Sequence, residues 1–345
     1  MKICFYTKEY ENELLGFLTN SEYATIGHLP QWIDIFDNVF NYKSFSLVAF
    51  DSKNEICGFF PLFLVNNILL KRFLISSPFN NFSGILYAND IELYKLFLAE
   101  AKKIAQQQKT EYLEIRQLNE NIFQLPERSN FVSMFLDLTS GADTIWKNSL
   151  NTKVRNQVRK SEQNNLHLIE NDSIENFYTV YCKNMRDLGS PSFPFIFFKQ
   201  IKEKFKHNCQ ILSVSFENKI IASMFVLKWR NFFSDPWASS LREYNYLNPN
   251  NFLYWNAIKM ASHEGYTIFD MGRSTIDTGT YHFKKQWGSK PIKLNYQYIF
   301  NRSKTIPVVD AKHNKYEMAI QVWKKLPLNI ANLIGTRLIK YLPEL

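Results

Sequence analysis

The chain has 345 residues, of which 46% are hydrophobic, and carries 41 Lys and Arg against 32 Asp and Glu, a net charge of +9. That length suits about two domains with sizeable cores. The charge favours anionic partners (phosphates, nucleic acid, a membrane surface) without choosing among them. Cys4, Cys57, Cys182 and Cys209 are scattered with no CxxC pair, so they read as reduced, mostly buried thiols and exclude a metal site or disulfide framework. The opening MKICFYTKEYENE turns acidic after one short apolar run, which predicts no signal peptide. No apolar run approaches the ~18 residues of a spanning helix. The expectation is a cytoplasmic protein, free or held peripherally at the inner face of the membrane.

Residues 2–7 predict a first strand and a short polar helix follows. Over 29–40, Trp32, Ile35, Phe36, Val39 and Phe40 recur at helical spacing behind Pro30. Strands are predicted over 45–50, 55–65, 73–77 and 85–87, with SPFNNFSG (77–84) as a turn-rich link. Asp90 caps a predicted helix to Gln107 whose apolar face is Ile91, Tyr94, Leu98, Ala101 and Ile104. A strand over 112–116 places Glu114 and Arg116 on one face. Residues 119–130, with Pro126, are the predicted linker.

The second half opens with a strand over 132–138 and one helix over 143–163 carrying Trp146, Leu150, Val154 and Val158 as a stripe. Arg155 and Arg159 stand at i, i+4 among Lys147, Lys153 and Lys160. They form either a solvated face or a wall that clamps an anion. Helices over 174–187 and 194–206 precede a hairpin, 210–216 and 219–229, turning at Glu217-Asn218. A strand over 232–239 carries Asp235 and Trp237. The polar LNPNN run leads into a helix ending near Gly265, and its start, with Asn250 and Asn251, is a candidate anion-binding helix N-terminus.

A β-run over 267–271 then stops at Gly272. It leaves Asp270, Arg273, Ser274, Asp277, Tyr281, His282 and Lys284 at or beyond a strand end, where loops present chemistry. A last strand is predicted over 292–300. Residues 301–315 read as irregular, and 316–345 as helices broken at Pro327. There Ile330, Leu333, Ile334, Arg337, Leu338 and Tyr341 make a basic amphipathic face, expected to dock on the first domain or else to lie on an anionic membrane.

FDMGRS (269–274), a short Gly-containing turn, FKKQWG (283–288) and a strand resemble the closing segment of the Fem family of acyl and aminoacyl transferases. MRDLGSPSFP (185–194), NNFLYWNAIKMA (250–261) and WKKLPLNIANLIG (323–335) are similar to the same family, in its subgroup accompanying exosortase and exopolysaccharide loci. The resemblance implies an α/β (α+β) fold: tandem GNAT-like domains with mixed central sheets, over 1–125 and 126–300, and a basic helical extension over 301–345.

It also implies an N-acyltransferase moving an acyl, acetyl or aminoacyl group onto an amine of a cell-envelope or exopolysaccharide precursor. The acceptor would be an amino-sugar, nucleotide-sugar or lipid-linked glycan. Acyl-CoA is the implied donor, aminoacyl-tRNA the alternative one, and no metal is needed.

Lys284 matches the family's FK lysine and is expected to stabilise the carbonyl oxygen. Asp270 and Asp277 are the candidate bases. Arg155, Arg159, Arg273, Ser274, Tyr281, His282 and Trp237 are expected to face substrate, and Asn250 and Asn251 the cofactor. No Ser-His-Asp or Cys-His motif announces a covalent nucleophile, so direct attack by the amine is favoured. GNAT proteins cradle a pyrophosphate on a Gly-rich loop, whereas residues 242–251 contain no glycine. That departure keeps a second class open: a binding or assembly protein that recognises a polysaccharide, lipid carrier or partner enzyme.

Overall fold

The protein is described by a computed structural model of residues 1–88, 90–118, 121–306 and 314–342, with side chains omitted at 314–316. Parts of the predicted linker (119–130) and of the irregular stretch (301–315) therefore lie outside the described residues, as does the end of the C-terminal extension. The chain folds as two compact units. One holds residues 1–131, 293–309 and 340–345; the other holds 132–292 and 310–339.

In the first unit the chain runs through β1 (Lys2–Phe5), α1 (Glu11–Asn20), α2 (Gln31–Phe40), β2 (Lys43–Ser44), β3 (Leu47–Phe50) and β4 (Ile56–Phe60). It continues as β5 (Phe63–Asn66), β6 (Arg72–Ile75), β7 (Leu86–Tyr87), α3 (Ile91–Gln107), β8 (Tyr112–Gln117) and β9 (Glu127–Arg128). The second unit begins with β10 (Phe131–Asp137), α4 (Ala142–Thr144), α5 (Thr152–Glu162), β11 (His167–Glu170), α6 (Ile174–Leu188) and α7 (Phe195–Phe205). Next come β12 (Cys209–Phe216), β13 (Lys219–Trp229), β14 (Phe232–Ser240), α8 (Pro249–His263), β15 (Ile268–Thr275), α9 (Gly279–Lys285) and β16 (Lys290–Lys293). β17 (Asn295–Phe300) returns to the first unit, before α10 (Asn314–Lys324) and α11 (Leu328–Leu338).

The first unit holds two sheets, ordered β1-β3-β4-β7 and β2-β5-β6-β8-β17-β9. Asp90 caps α3 as its sequence implies, accepting from the amides of Glu92 and Leu93. α3 buries Tyr94, Leu98, Ala101 and Ile104 as expected, together with Leu93 and Phe97, and of the expected face Ile91 alone is exposed. β17 had been read with the second domain, yet it pairs antiparallel with β8 from Asn295↔Gln117 to Phe300↔Tyr112. A buried network fixes that register. Glu114 accepts Arg116 Nε at 2.8 Å and the Tyr298 hydroxyl at 2.9 Å, and Arg116 lies 5.2 Å under the Tyr296 ring. Burying that ion pair requires its hydrogen bonds to be satisfied, and β17 supplies the tyrosine that does so.

The second unit is built on one sheet, ordered β11-β12-β13-β14-β15-β10-β16. The β12–β13 hairpin turns at Glu217 and Asn218, both at positive φ (49° and 62°), the conformation that matches strand twist. The single helix expected over 143–163 is broken. A π-helical turn (Ile145–Ser149) ends at an extended Leu150, and Asn151 caps α5 by accepting from the Lys153 amide.

α10 and α11 pack on α6 of this same unit, and the expected docking on the first domain holds only at the end of the extension, where Lys340 belongs to the first unit and its carbonyl accepts the Tyr42 hydroxyl. α11 seats through the small residues Ala331 and Gly335: a Cβ on Gly335 would come within 3.0 Å of the Ser192 amide nitrogen. The aliphatic face read as docking (Ile330, Leu333, Ile334) is exposed. Close backbone approach selected the small face. Among the described residues no helix is long and apolar enough to cross a membrane. Of the four thiols, only Cys182 is fully buried.

Candidate active site

β14 carries a defect on each of its two edges at one place. On the β13 side the register jumps from Phe225↔Trp237 to Leu227↔Ser234, so Asp235 and Pro236 together oppose Val226. Pro236 has no N–H for the ladder, and a bulge is where a strand accommodates that. On the β15 side the parallel pairing spans only Phe232↔Ile268 to Ser234↔Asp270, although β14 continues to Ser240 and β15 to Thr275. The two strands thus part into a fork. Asp270 is in the last pair, and Asp235 is the first residue beyond it on β14.

Both carboxyls are buried, 4% and 5% exposed. Neither oxygen of Asp235 has a hydrogen bond of good geometry; its polar neighbour is the Tyr254 hydroxyl from α8. Burial pushes the Asp235 carboxyl up to about 7, against the pull of the Lys284 ammonium and the Tyr254 hydroxyl and with some help from Asp270. Burial also raises Asp270, although Ser133 Oγ donates to it at 2.6 Å and the Gly272 amide at 2.9 Å. The Tyr254 hydroxyl is held well above its ordinary value by burial and by Asp235.

Lys284 reaches in from α9 and donates to the carbonyls of Gly272 (3.0 Å) and Arg273 (2.9 Å) on β15. Burial lowers its ammonium, while Asp235 and Asp270 resist that change. An ammonium has three donors, so one remains for a ligand. A carboxyl that gains and loses its proton near neutrality beside a dehydrated ammonium is the equipment of acid–base work combined with anion stabilisation.

The fork gathers some of the sequence candidates and leaves others apart. Asp270 and Lys284 meet there. Ser274 is 4% exposed with an unpartnered Oγ further along β15, and Arg273 is half-buried beside it. Asp277 sits in the exposed turn after β15 at φ 63°. The stretch 279–285 is helical, so Lys284 and Lys285 do not alternate across a strand. Lys285 lies exposed with its Nζ 5.6 Å from the Tyr281 ring. Tyr281 belongs to the hydrophobic core, and His282 is exposed against it.

Trp237 packs edge-on among Phe193, Phe197, Phe198 and Phe225. Arg155 donates to the carbonyls of Trp146 and Lys147 and to Thr152, so it terminates the π-helical turn. The Arg159 guanidinium stacks 5.7 Å from the Trp146 ring. Sequence reasoning missed Asp235, Tyr254 and Ser133 as site residues. An Asp-Pro pair inside a β-run was the available signal, because it breaks the strand pattern twice over.

A second feature lies at the start of α8. A cavity of ≈ 260 Å³ is lined by Lys153, Gln157, Asn245, Asn248, Pro249, Asn250, Asn251, Phe283 and Gln286. Asn248 takes the left-handed conformation (φ 56°, ψ 47°) that a glycine usually fills, and Pro249 occupies the first helical position, where an N–H is dispensable. The glycine-free loop therefore still turns tightly into a helix N-terminus with a lysine facing it, a setting that suits a diphosphate. A larger cavity of ≈ 800 Å³ between α1 and β4–β7 holds none of the fork's residues. Among the described residues no group of His, Cys, Asp or Glu is placed to hold a metal ion.

Residues 149–285 match the family described as "Acetyltransferase (GNAT) domain", a span that includes the bulge, the fork, α8 and Lys284. The second unit has the fold of a GNAT domain. Solved structures extend the likeness over most of the chain. FemX matches at TM-score 0.64 and 12% identity, over 86% of this chain and 97% of that one. L-PGS from Bacillus licheniformis matches at 0.56 and 13%, over 95% and 96%. A tandem GNAT protein from the clavulanic acid biosynthesis pathway matches at 0.53 and 8%, over 86% and 97%. At such identities the likeness is one of fold, and the fold is the Fem-like tandem GNAT fold that the motifs anticipated. No curated protein matches this chain. Within the GNAT domain, the fork is the only place among the described residues where a raised carboxyl and a lowered ammonium face each other.

Proposed function

We propose that this protein is an N-acyltransferase that moves an acyl or aminoacyl group onto an amine of a cell-envelope or exopolysaccharide precursor: an amino-sugar, nucleotide-sugar or lipid-linked glycan. The observation that carries the reading is the fork, with Asp235 near neutrality between the Tyr254 hydroxyl and the Lys284 ammonium. Beyond Ser234 and Asp270 the facing strands are no longer paired with each other, which leaves room between them for an extended, amide-bearing ligand, while on β15 the Gly272 and Arg273 carbonyls are held by Lys284 and the Gly272 amide by Asp270.

Asp235, as carboxylate, accepts the proton that the attacking amine must lose, and gives it back to the donor's leaving thiol or hydroxyl as the bond from the acyl carbon to that group breaks. The remaining Lys284 N–H points charge at the oxyanion that develops as the carbonyl carbon becomes tetrahedral, and the other two donors hold the ammonium on β15. Asp270, fixed by Ser133 and Gly272, keeps the ammonium charged despite its burial.

Acyl-CoA, when bound, supplies the activated acyl group; Lys153, Asn250 and Asn251 would hold its diphosphate at the α8 N-terminus. Aminoacyl-tRNA is the alternative donor.

Calorimetric and intact-mass screening against acetyl-CoA, longer acyl-CoAs, aminoacyl-tRNA and nucleotide-sugars tests the proposal. One donor should bind saturably, and wild type but not Asp235→Asn should discharge it to an amine. Absence of any saturable donor would overturn the transferase reading.

A further inference from the structure

The β5–β6 hairpin ends in a turn that displays Ile68, Leu69 and Leu70 to water, at 61%, 73% and 71% exposure. One exposed aliphatic residue needs no explanation, but three in succession at a convex tip do. The turn is also firmly built. Asn67 accepts the Leu69 and Lys71 amides on its side-chain oxygen (3.0 and 3.1 Å) and the Leu70 amide on its carbonyl (2.9 Å), and its own amide bonds the Lys71 carbonyl (3.0 Å). Leu70 stands at φ 57°, where a side chain is disfavoured and glycine or asparagine is the usual occupant. Both solvent and backbone thus oppose leucine at this position.

The same end of the six-stranded sheet is basic. Lys71 and Arg72 follow the tip directly. Arg72 Nη1 donates to the Gln108 carbonyl at 3.4 Å, next to Lys109, and the Arg72 carbonyl accepts the Glu111 amide at 2.7 Å. The Glu111 carbonyl in turn accepts the Arg302 amide. Lys71, Arg72, Lys109 and Arg302 are all exposed, and Glu111 is the acid among them, 3.9 Å from Lys71.

We propose that this hairpin tip inserts into the interface of an anionic lipid bilayer, with the four cations on the headgroups. A convex aliphatic tip finds no complementary hollow on a second protein unless one was shaped for it. A fluid bilayer accepts such a tip without complementarity and pairs its anionic headgroups with the surrounding cations. The inference stands independently of the acyl-transfer reading, because it is tested by binding alone.

The full chain should co-sediment with phosphatidylcholine–phosphatidylglycerol vesicles, less so as salt is raised, and weakly with phosphatidylcholine alone. The variant Ile68→Ser/Leu69→Ser/Leu70→Asn should lose at least about tenfold in vesicle affinity with an unlowered melting temperature, since asparagine tolerates the left-handed turn. Leu69→Trp should show blue-shifted emission on the mixed vesicles. Three results would overturn the proposal: no vesicle binding by wild type; binding by the triple variant equal to wild type; or loss of binding only when the exposed α11 residues Ile330, Leu333 and Ile334 are changed to serine. Concentration-dependent self-association that the triple variant abolishes, without vesicle binding, would assign the tip to a second copy and refute the bilayer.

Discussion

Replacing Asp235 with Asn separates what this residue does for the fold from what it does in the reaction. An unfolded aspartate ionises near 3.8, and in the folded protein burial holds Asp235 protonated up to about 7. The folded state therefore keeps its proton longer than the unfolded one. The stability associated with neutral Asp235 is complete below 3.8 and is lost as pH rises through 7. A rise from 3.8 to about 7 corresponds to about 4 kcal/mol by pH 8.

Asn is uncharged throughout and matches the side chain in size. Asp235→Asn should consequently become more stable relative to wild type as pH rises, by about 2.5 kcal/mol between pH 5 and 8, the first part of the loss falling below pH 5. Urea denaturation of both proteins at several pH values measures it, because titrating groups remote from Asp235 cancel in the difference and only its neighbours Asp270, Lys284 and Tyr254 shift with it. The same variant should lose acyl transfer, and the wild-type rate should rise with pH through about 7 as the base forms. Parallel stability–pH curves for the two proteins would show that Asp235 ionises normally and would remove the basis for its catalytic role.

Lys284→Met should keep the fold and cost turnover about 10²-fold, with a smaller change in KM. Lys285→Met, at an exposed neighbour on α9, should be nearly silent. Arg155→Ala deletes the donors to the Trp146 and Lys147 carbonyls and should destabilise the protein by about 1–2 kcal/mol in chemical denaturation. An unchanged midpoint would free that arginine for an anion. Gly335→Val forces a side chain against the Ser192 amide and should lower stability by about 1–3 kcal/mol, seen as a reduced thermal midpoint. An unaffected midpoint would mean that α11 is not seated on the loop after α6.

Local sequence determined much of this protein because much of it is set by local chemistry. Asp90 caps α3 wherever that helix goes, and Glu217-Asn218 makes the same tight turn in any hairpin. The motifs FDMGRS and FKKQWG anticipated a GNAT-type fold, and Asp270 and Lys284 were legible singly, as a candidate base and a carbonyl-stabilising lysine, but not as neighbours. Tertiary structure decided what depends on partners distant in sequence. β17 carries an alternating strand pattern that fits either unit, and the buried Glu114–Arg116 pair, satisfied by Tyr298, fixes its place beside β8. Arg155 and Arg159 look like an anion clamp on a helical wheel. Only the break at Leu150 brings the carbonyls of the π-helical turn, and the Trp146 ring, to meet them.

Asp235 was unremarkable as one acid in a β-run. Its chemistry arises from the bulge that Pro236 imposes, the parting of β14 from β15, and Tyr254 arriving from α8. Proton affinity at a buried site depends on the dielectric and on the charges surrounding it, and those are properties of the folded neighbourhood that no single stretch of sequence contains.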